Sequence, residues 1–431
     1  MPRPPASTPR QAGAILASLA LANVAAYAAR NGLFTVYEDL RDRFDLHDAK
    51  LGLLATAFLV PHALATLPFG WAGDRWDRRR VIAFGMILAS IAGAAGAFAT
   101  STWALVASRA AVGLGTAAVV PIANSILGQI YEGPHKASRM AIFNLGLLVG
   151  GVVGFGTGIA VGFPNVVVVL AIPGAIMAVV IALLPVPPHP AAAVRDLDAG
   201  SSFGQDLGRL TAGFVASARE LLQISTLRWL MLSATAMAFA AGGYNAWLID
   251  YLVRDKAMTK EAATSLLAVA MVGAVAGIVA GARLADRLRQ RMPTGRLWVI
   301  ATGMACTAPC AILCIQLPPG APLYAAGIAT MFFISWYHAP IAVSVDDLAP
   351  PRHAVAAQGL VIFTMHLFGT APASWVLGLV SDRWSLYVAM WAPTGLLVVA
   401  ALAMAAATRT FTRDAAAARG GKAGEPAAAS L

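Results

Sequence analysis

An all-α membrane protein of twelve transmembrane helices in two six-helix halves is what this 431-residue chain predicts, on three observations. Hydrophobic residues make up 58% of it and charged residues only 12%, against about 25% charged in a soluble domain. Such a chain has too little polar surface to coat a water-soluble fold. Apolar runs of about 20 residues, the length a helix needs to cross the hydrocarbon core, recur twelve times. A polar stretch divides them six and six. The net charge of +10 is spread too thinly for a nucleic-acid surface. Three cysteines do not make a disulfide scaffold.

In order, the first half holds runs at 13–36, 50–71, 80–99, 102–128, 138–162 and 165–184. The second holds 227–252, 262–284, 297–317, 321–346, 354–380 and 384–407. The expected organisation is a cytoplasmic tail 1–12, a bundle 13–184, a linker 185–226, a second bundle 227–408 and a disordered cytoplasmic tail 409–431. The first run is too long for a cleaved signal peptide and lacks a small-residue cleavage site. Pro185, Pro187, Pro188 and Pro190 rule out helix at the start of the linker. Ser202 and Gln205 then have capping-box spacing, and Leu207, Leu210, Phe214 and Leu221 follow at near-helical intervals. That pattern predicts an amphipathic helix on the membrane face. Pro61, Pro121, Pro173, Pro309, Pro340 and Pro372 mark kinks inside spans. Lys and Arg gather on the loops of one side, which places both termini in the cytoplasm.

After the second run comes Gly70-Trp71-Ala72-Gly73-Asp74-Arg75-Trp76-Asp77-Arg78-Arg79, and the second half has Ala282-Arg283-Leu284-Ala285-Asp286-Arg287 at the matching place. Glycine lets two helices approach, and an Asp near a helix terminus can be met by arginine or backbone N–H groups. The repeated loop resembles the signature of the major facilitator superfamily, with Asp77 and Ala282 standing where that family usually has glycine. Arg109-Ala110-Ala111-Val112-Gly113-Leu114-Gly115 resembles its fourth-helix motif. Tyr27 to Arg30, Gly113 to Gly115, Leu284 to Leu288, Asp347 to Pro351 and Gly378 to Asp382 together resemble the spinster branch, which includes exporters of lysolipids and sphingosine phosphate. The resemblance covers nearly the whole chain. It implies the major facilitator fold, alternating access around one central site, and gating by Gly70, Asp74, Arg75, Arg78, Asp286 and Arg287. It also implies two proton-coupling carboxylates that are missing here. Ala29 stands where the branch usually has Asp, and Thr116 where it usually has Glu.

Arg30 and Arg109 are the basic residues set well inside spans, each about six residues, or about 9 Å, from the outer end of its run. No acidic residue lies that deep. Charge at this depth is costly and calls for a cavity or a partner. A guanidinium pair matches a carboxylate or phosphate bidentately, so one reading gives the pair an anionic head group. In the other, carbonyls cap Arg109 while Arg30 reaches the outer mouth near Glu38 and Asp39. Asn23, Tyr27, Arg30 and Asn31 share one helical face, and Thr116 follows Arg109 at similar spacing. In the second half, Tyr244, Asn245, Trp247, Tyr337, His338 and His366 are cavity candidates, with interhelical packing as the alternative.

Without a deep carboxylate, proton coupling falls to a histidine (His62, His338 or His366) or to Glu38 and Asp39. The plainer alternative is a histidine satisfied by a neighbour. Asp346 and Asp347 near Arg352 read as an inner-gate ion pair or an end cap. Cys306, Cys310 and Cys314 share one face, where helix packing is favoured over a soft metal. No metal site, cofactor, nucleotide-cradling loop or nucleophile–base cluster is expected, which disfavours an ATP-driven pump and an enzyme.

The resulting expectation is a secondary transporter working by alternating access on an organic anion or anionic amphiphile. It would act as a monomer among the membrane lipids of a bacterial inner membrane. The rivals are an exporter of neutral or cationic drug-like compounds, which should carry a deep carboxylate, and a transport-inactive sensor.

Overall fold

Helix initiation is visible in the first turn. Thr8 Oγ1 accepts from the Gln11 N–H at 3.3 Å, Gln11 Oε1 accepts from the Thr8 N–H at 3.0 Å, and Pro9 takes the position where a missing N–H is harmless. This opens α1 (Pro9–Asn31) in a computed structural model that describes residues 8–131, 136–186, 203–350 and 353–423. A 3₁₀ turn leads into α2 (Tyr37–Phe44), followed by α3 (Asp48–Arg75), α4 (Arg78–Ala95), α5 (Thr102–Thr116), α6 (Val119–Ile130), α7 (Lys136–Val161) and α8 (Asn165–Leu183). The linker helix is α9 (Phe203–Leu221). Then come α10 (Ser225–Arg254), α11 (Lys260–Arg291), α12 (Gly295–Gln316), α13 (Ala321–Ile334), α14 (His338–Leu348), α15 (Ala354–Thr364), α16 (Ala371–Arg383), α17 (Leu386–Ala389) and α18 (Trp391–Ala423). Among the described residues every regular element is helical. Eleven stretches are long and apolar enough to cross a membrane, and α10, joined to the end of α9 across a 109° bend, makes a twelfth.

In three spans proline places a break. Pro121, Pro340 and Pro372 cannot donate to the carbonyls of Ala117, Trp336 and Phe368, four residues earlier. The fourth span accordingly breaks between α5 and α6, and the tenth at the 3₁₀ turn Ser335–Tyr337. The eleventh passes through a π-helical turn, Met365–Thr370. Pro61, Pro173 and Pro309 lie inside continuous helices.

The chain divides into units Met1–Leu207 and Gly208–Leu431. In the first, α1 packs on α7, α4 on α8 and α3 on α5. Small residues allow the closest of these approaches. A Cβ at Gly150 would lie 2.6 Å from Val24 O, one at Gly154 2.6 Å from Ala28 O, and one at Gly158 2.6 Å from Gly32 O. This four-residue glycine ridge lays α7 against the backbone of α1. In the second unit α11 packs on α13, and α12 and α10 on α18.

The expected boundary of disorder at 409 is corrected: α18 runs on to Ala423. Alanine is the strongest helix former, and this extension is also anchored. Asp414 accepts from the Thr226 N–H at 2.9 Å and the Thr226 hydroxyl at 2.8 Å, so it caps the start of α10. Phe411 and Ala415 are buried in the same core.

Candidate functional site

The first unit brings the deep arginines to one level. Arg109, on α5, is 3% exposed, and its two Nη groups donate to the carbonyls of Ala29 and Arg30 on α1, each at 3.0 Å. Its Cζ lies 5.1 Å from the centroid of the Phe58 ring on α3. Arg109 therefore ties three helices together. Arg30, by contrast, is half-buried. Its Nε, like that of Arg109, is buried without a hydrogen-bond partner, but its guanidinium makes no side-chain hydrogen bond or ion pair among the described residues. The Tyr27 ring stands 5.8 Å from its Cζ.

Beside Arg109 the α3–α5 seam is tight, for a Cβ at Gly113 would collide with Phe58 O. His62, one turn beyond Phe58 and stacked on it at 5.6 Å, reaches across. Its Nδ1 lies 3.1 Å from Thr116 Oγ1 and 3.2 Å from Gly113 O. Gly113 O can only accept, and the Thr116 hydroxyl donates to its own helix at Val112 O, 3.0 Å away. These partners assign the proton to Nδ1.

The other first-unit residues are held by neighbouring backbone. Asn23, 1% exposed, donates to Phe143 O on α7 at 3.0 Å, and Asn31 donates to Tyr27 O at 2.9 Å. Glu38 is exposed, while Asp39 accepts from the Phe163 N–H at 2.8 Å.

In the second unit, Tyr244 bonds Thr394 at 2.5 Å. Trp247 is fully buried and donates to Ser374 O at 2.9 Å. Asn245 is half-buried on α10. The rings of Tyr337 and His338 stand 4.1 Å apart, with His338 exposed, and His366 sits in the π-helical turn. No metal-ligating cluster occurs among the described residues. Cys314 Sγ lies 3.5 Å from Thr330 Oγ1.

Of the loop residues, Gly70, Asp74 and Arg75 occupy the last two turns of α3, and the pairing expected of Asp74 and Arg75 falls outside the described side chains. Arg78 is buried and donates to Gln129 Oε1 at 2.6 Å. Asp286 and Arg287 are exposed at the end of α11. Asp347 pairs with Arg296 at 2.9 Å and Asp346 accepts from Gln358 at 2.8 Å, while Arg352 lies outside the described residues.

The roles of three contributors escaped the sequence reading. Phe58 had a findable signal, one helical turn before His62. The Asp414 cap had none, since 188 residues separate it from Thr226. The third is Asp77, which caps α4 by accepting from the Arg79 N–H at 3.0 Å and pairs with the Arg79 guanidinium at 2.7 Å. Hydrogen bonding to Arg79 holds the Asp77 carboxyl below the usual carboxylate range. A depressed value means stability that is present above the unfolded carboxylate range and lost as pH falls through the folded one. Wild type should therefore melt above Asp77→Asn at neutral pH in detergent. The gap should close on acidification below about pH 4, an unfolded Asp value.

Comparison with known proteins follows the same outline. The model of the Major Facilitator Superfamily matches residues 19–371. Protein spinster homolog 3 of Danio rerio is 26% identical over 396 residues, covering 86% of this chain and 77% of that protein. The sphingosine-1-phosphate transporter SPNS2 of Danio rerio is 27% identical over 395 residues, covering 84% and 75%. Among solved structures, an inward-facing, unoccupied bacterial homolog of the human lysosomal transporter Spinster superposes with a TM-score of 0.79. It is 22% identical, with 95% of this chain and 99% of that one covered.

Proposed function

The chain belongs to the Major Facilitator Superfamily and is a spinster-type secondary transporter, and on that premise we propose that its cargo is an anionic amphiphile whose head group is gripped by Arg30. The carrying observation is the contrast between two arginines at one depth. Arg109 has both Nη groups satisfied by carbonyls, while Arg30 has no acceptor among the described residues. A guanidinium in that position seeks a carboxylate or phosphate, which it meets bidentately. Tyr27 beside it offers an aromatic face to the same head group. The name of SPNS2, a sphingosine-1-phosphate transporter, supports a phosphate-bearing amphiphile with a single long chain.

In this reading the transporter alternates access, and Arg109 holds α1 so that Arg30 stays at a fixed height. Both termini face the cytoplasm of a bacterial cell, in keeping with the Lys and Arg on those loops.

The test is flux in proteoliposomes of a fluorescent lysophosphatidate against its neutral monoacylglycerol counterpart. The phosphate-bearing probe should move about tenfold faster or more, the factor that about 1.4 kcal/mol of head-group binding supplies. Equal movement of both would favour the neutral-compound exporter. Movement of neither, nor of a cationic amphiphile, would favour the sensor.

A further inference from the structure

We propose that His62 is the proton-binding residue of this transporter and that its protonation strengthens anion binding at Arg30. The coupling half rests on the Arg30 reading; the proton-binding half does not.

Among the described residues of the first unit, the acidic positions fall toward helix ends: Glu38, Asp39, Asp42, Asp45 and Asp48 at one side, Asp74 and Asp77 at the other, with Asp206 near the start of α9. The remaining described imidazole of that unit, His47, sits at the start of α3. His62 alone of these places an imidazole in mid-span. Its surroundings suit both charge states. Nδ1–H donates to two oxygens, Gly113 O and Thr116 Oγ1, which also favour an imidazolium, and the proton taken up enters at Nε2.

Its position connects that proton to the arginines. Phe58 contacts both groups, its ring stacked on the imidazole at 5.6 Å and the Arg109 Cζ 5.1 Å from its centroid. Arg109 in turn holds Arg30 O. On the elements packed against α3, the groups from α5 are Thr116, which meets His62, and Arg109, which meets Phe58. The charged groups of α4 are Arg78, Arg79 and Arg80 at its cytoplasmic end, α6 carries none, and those of α2 are Glu38, Asp39, Arg41, Asp42 and Arg43 beyond the far end of the span. Protonation thus adds a further positive charge to a neighbourhood already positive. A bound anion relieves that repulsion, so proton and anion favour each other reciprocally.

The test uses the full-length chain in nanodiscs with its seven histidine rings labelled with nitrogen-15. His62→Gln identifies the resonances, and Thr116→Val, which perturbs the same ring, identifies them independently should the first variant not fold. His62 should pass from neutral to doubly protonated between about pH 8 and about pH 5. A ring that stays neutral throughout overturns the proposal. Wild type should bind fluorescent lysophosphatidate about tenfold more tightly at about pH 5.5 than at about pH 8, with less than about twofold dependence left in His62→Gln. Undiminished pH dependence in that variant overturns the coupling. Absence of probe binding at every pH counts against the Arg30 reading and leaves the ring titration to decide for His62.

Discussion

Arg30→Ala is expected to abolish movement of the anionic amphiphile while leaving the first unit folded. Hydrogen bonds to a charged group contribute about 1.5–3 kcal/mol, so affinity should fall at least tenfold and up to about a hundredfold. The same substitution breaks no hydrogen bond or ion pair of the Arg30 side chain among the described residues, because it makes none. It also removes a half-buried charge that is costly to keep in the membrane. The thermal midpoint of the purified protein should therefore hold or rise. Arg30→Lys should fall between, retaining the charge and losing the bidentate fork. Arg109→Ala should behave oppositely in the melt, losing two bonds to α1 and a ring contact to α3. Unchanged flux in Arg30→Ala would end the head-group reading.

Gly154→Leu should be severely damaging to the fold. A Cβ there would sit 2.6 Å from Ala28 O and 3.0 Å from the Ala28 Cα. Both are main-chain atoms and cannot rotate aside as a side chain could. Overpacking of this kind costs about 1–3 kcal/mol, and here it also pries α7 from α1 along the glycine ridge. A marked loss of folded protein and a lowered midpoint are expected in detergent. Gly156→Leu, two residues away where nothing lies within 4 Å, should be nearly silent. If the two variants melted alike, the close packing of α7 on α1 would be wrong.

The architecture was readable because the period and length of apolar runs answer directly to the membrane. Prolines were readable as kinks, but not which of them break a helix. Pro309 and Pro340 both lie deep inside apolar runs, yet only the second falls in the first turn of a new helix. The two arginines look equivalent along the chain. What separates them is the presence of α1 carbonyls within reach of one guanidinium, which depends on how closely α5 approaches α1. Spacing within one helix cannot express that. The polar face inferred for α1 illustrates the same limit, since Asn23 and Asn31 share a stripe with Arg30 but are bonded to backbone. At residue 409 the composition did suggest disorder, and a contact from distant Thr226 decided otherwise.

Carbonyl oxygens neither take up protons at physiological pH nor exchange with dissolved ions. The strut that Arg109 makes to Ala29 and Arg30 is therefore indifferent to ionic strength, whereas attraction between a guanidinium and a mobile anion is weakened by screening. Salt should tune how readily cargo is captured without loosening the scaffold that presents the capturing group.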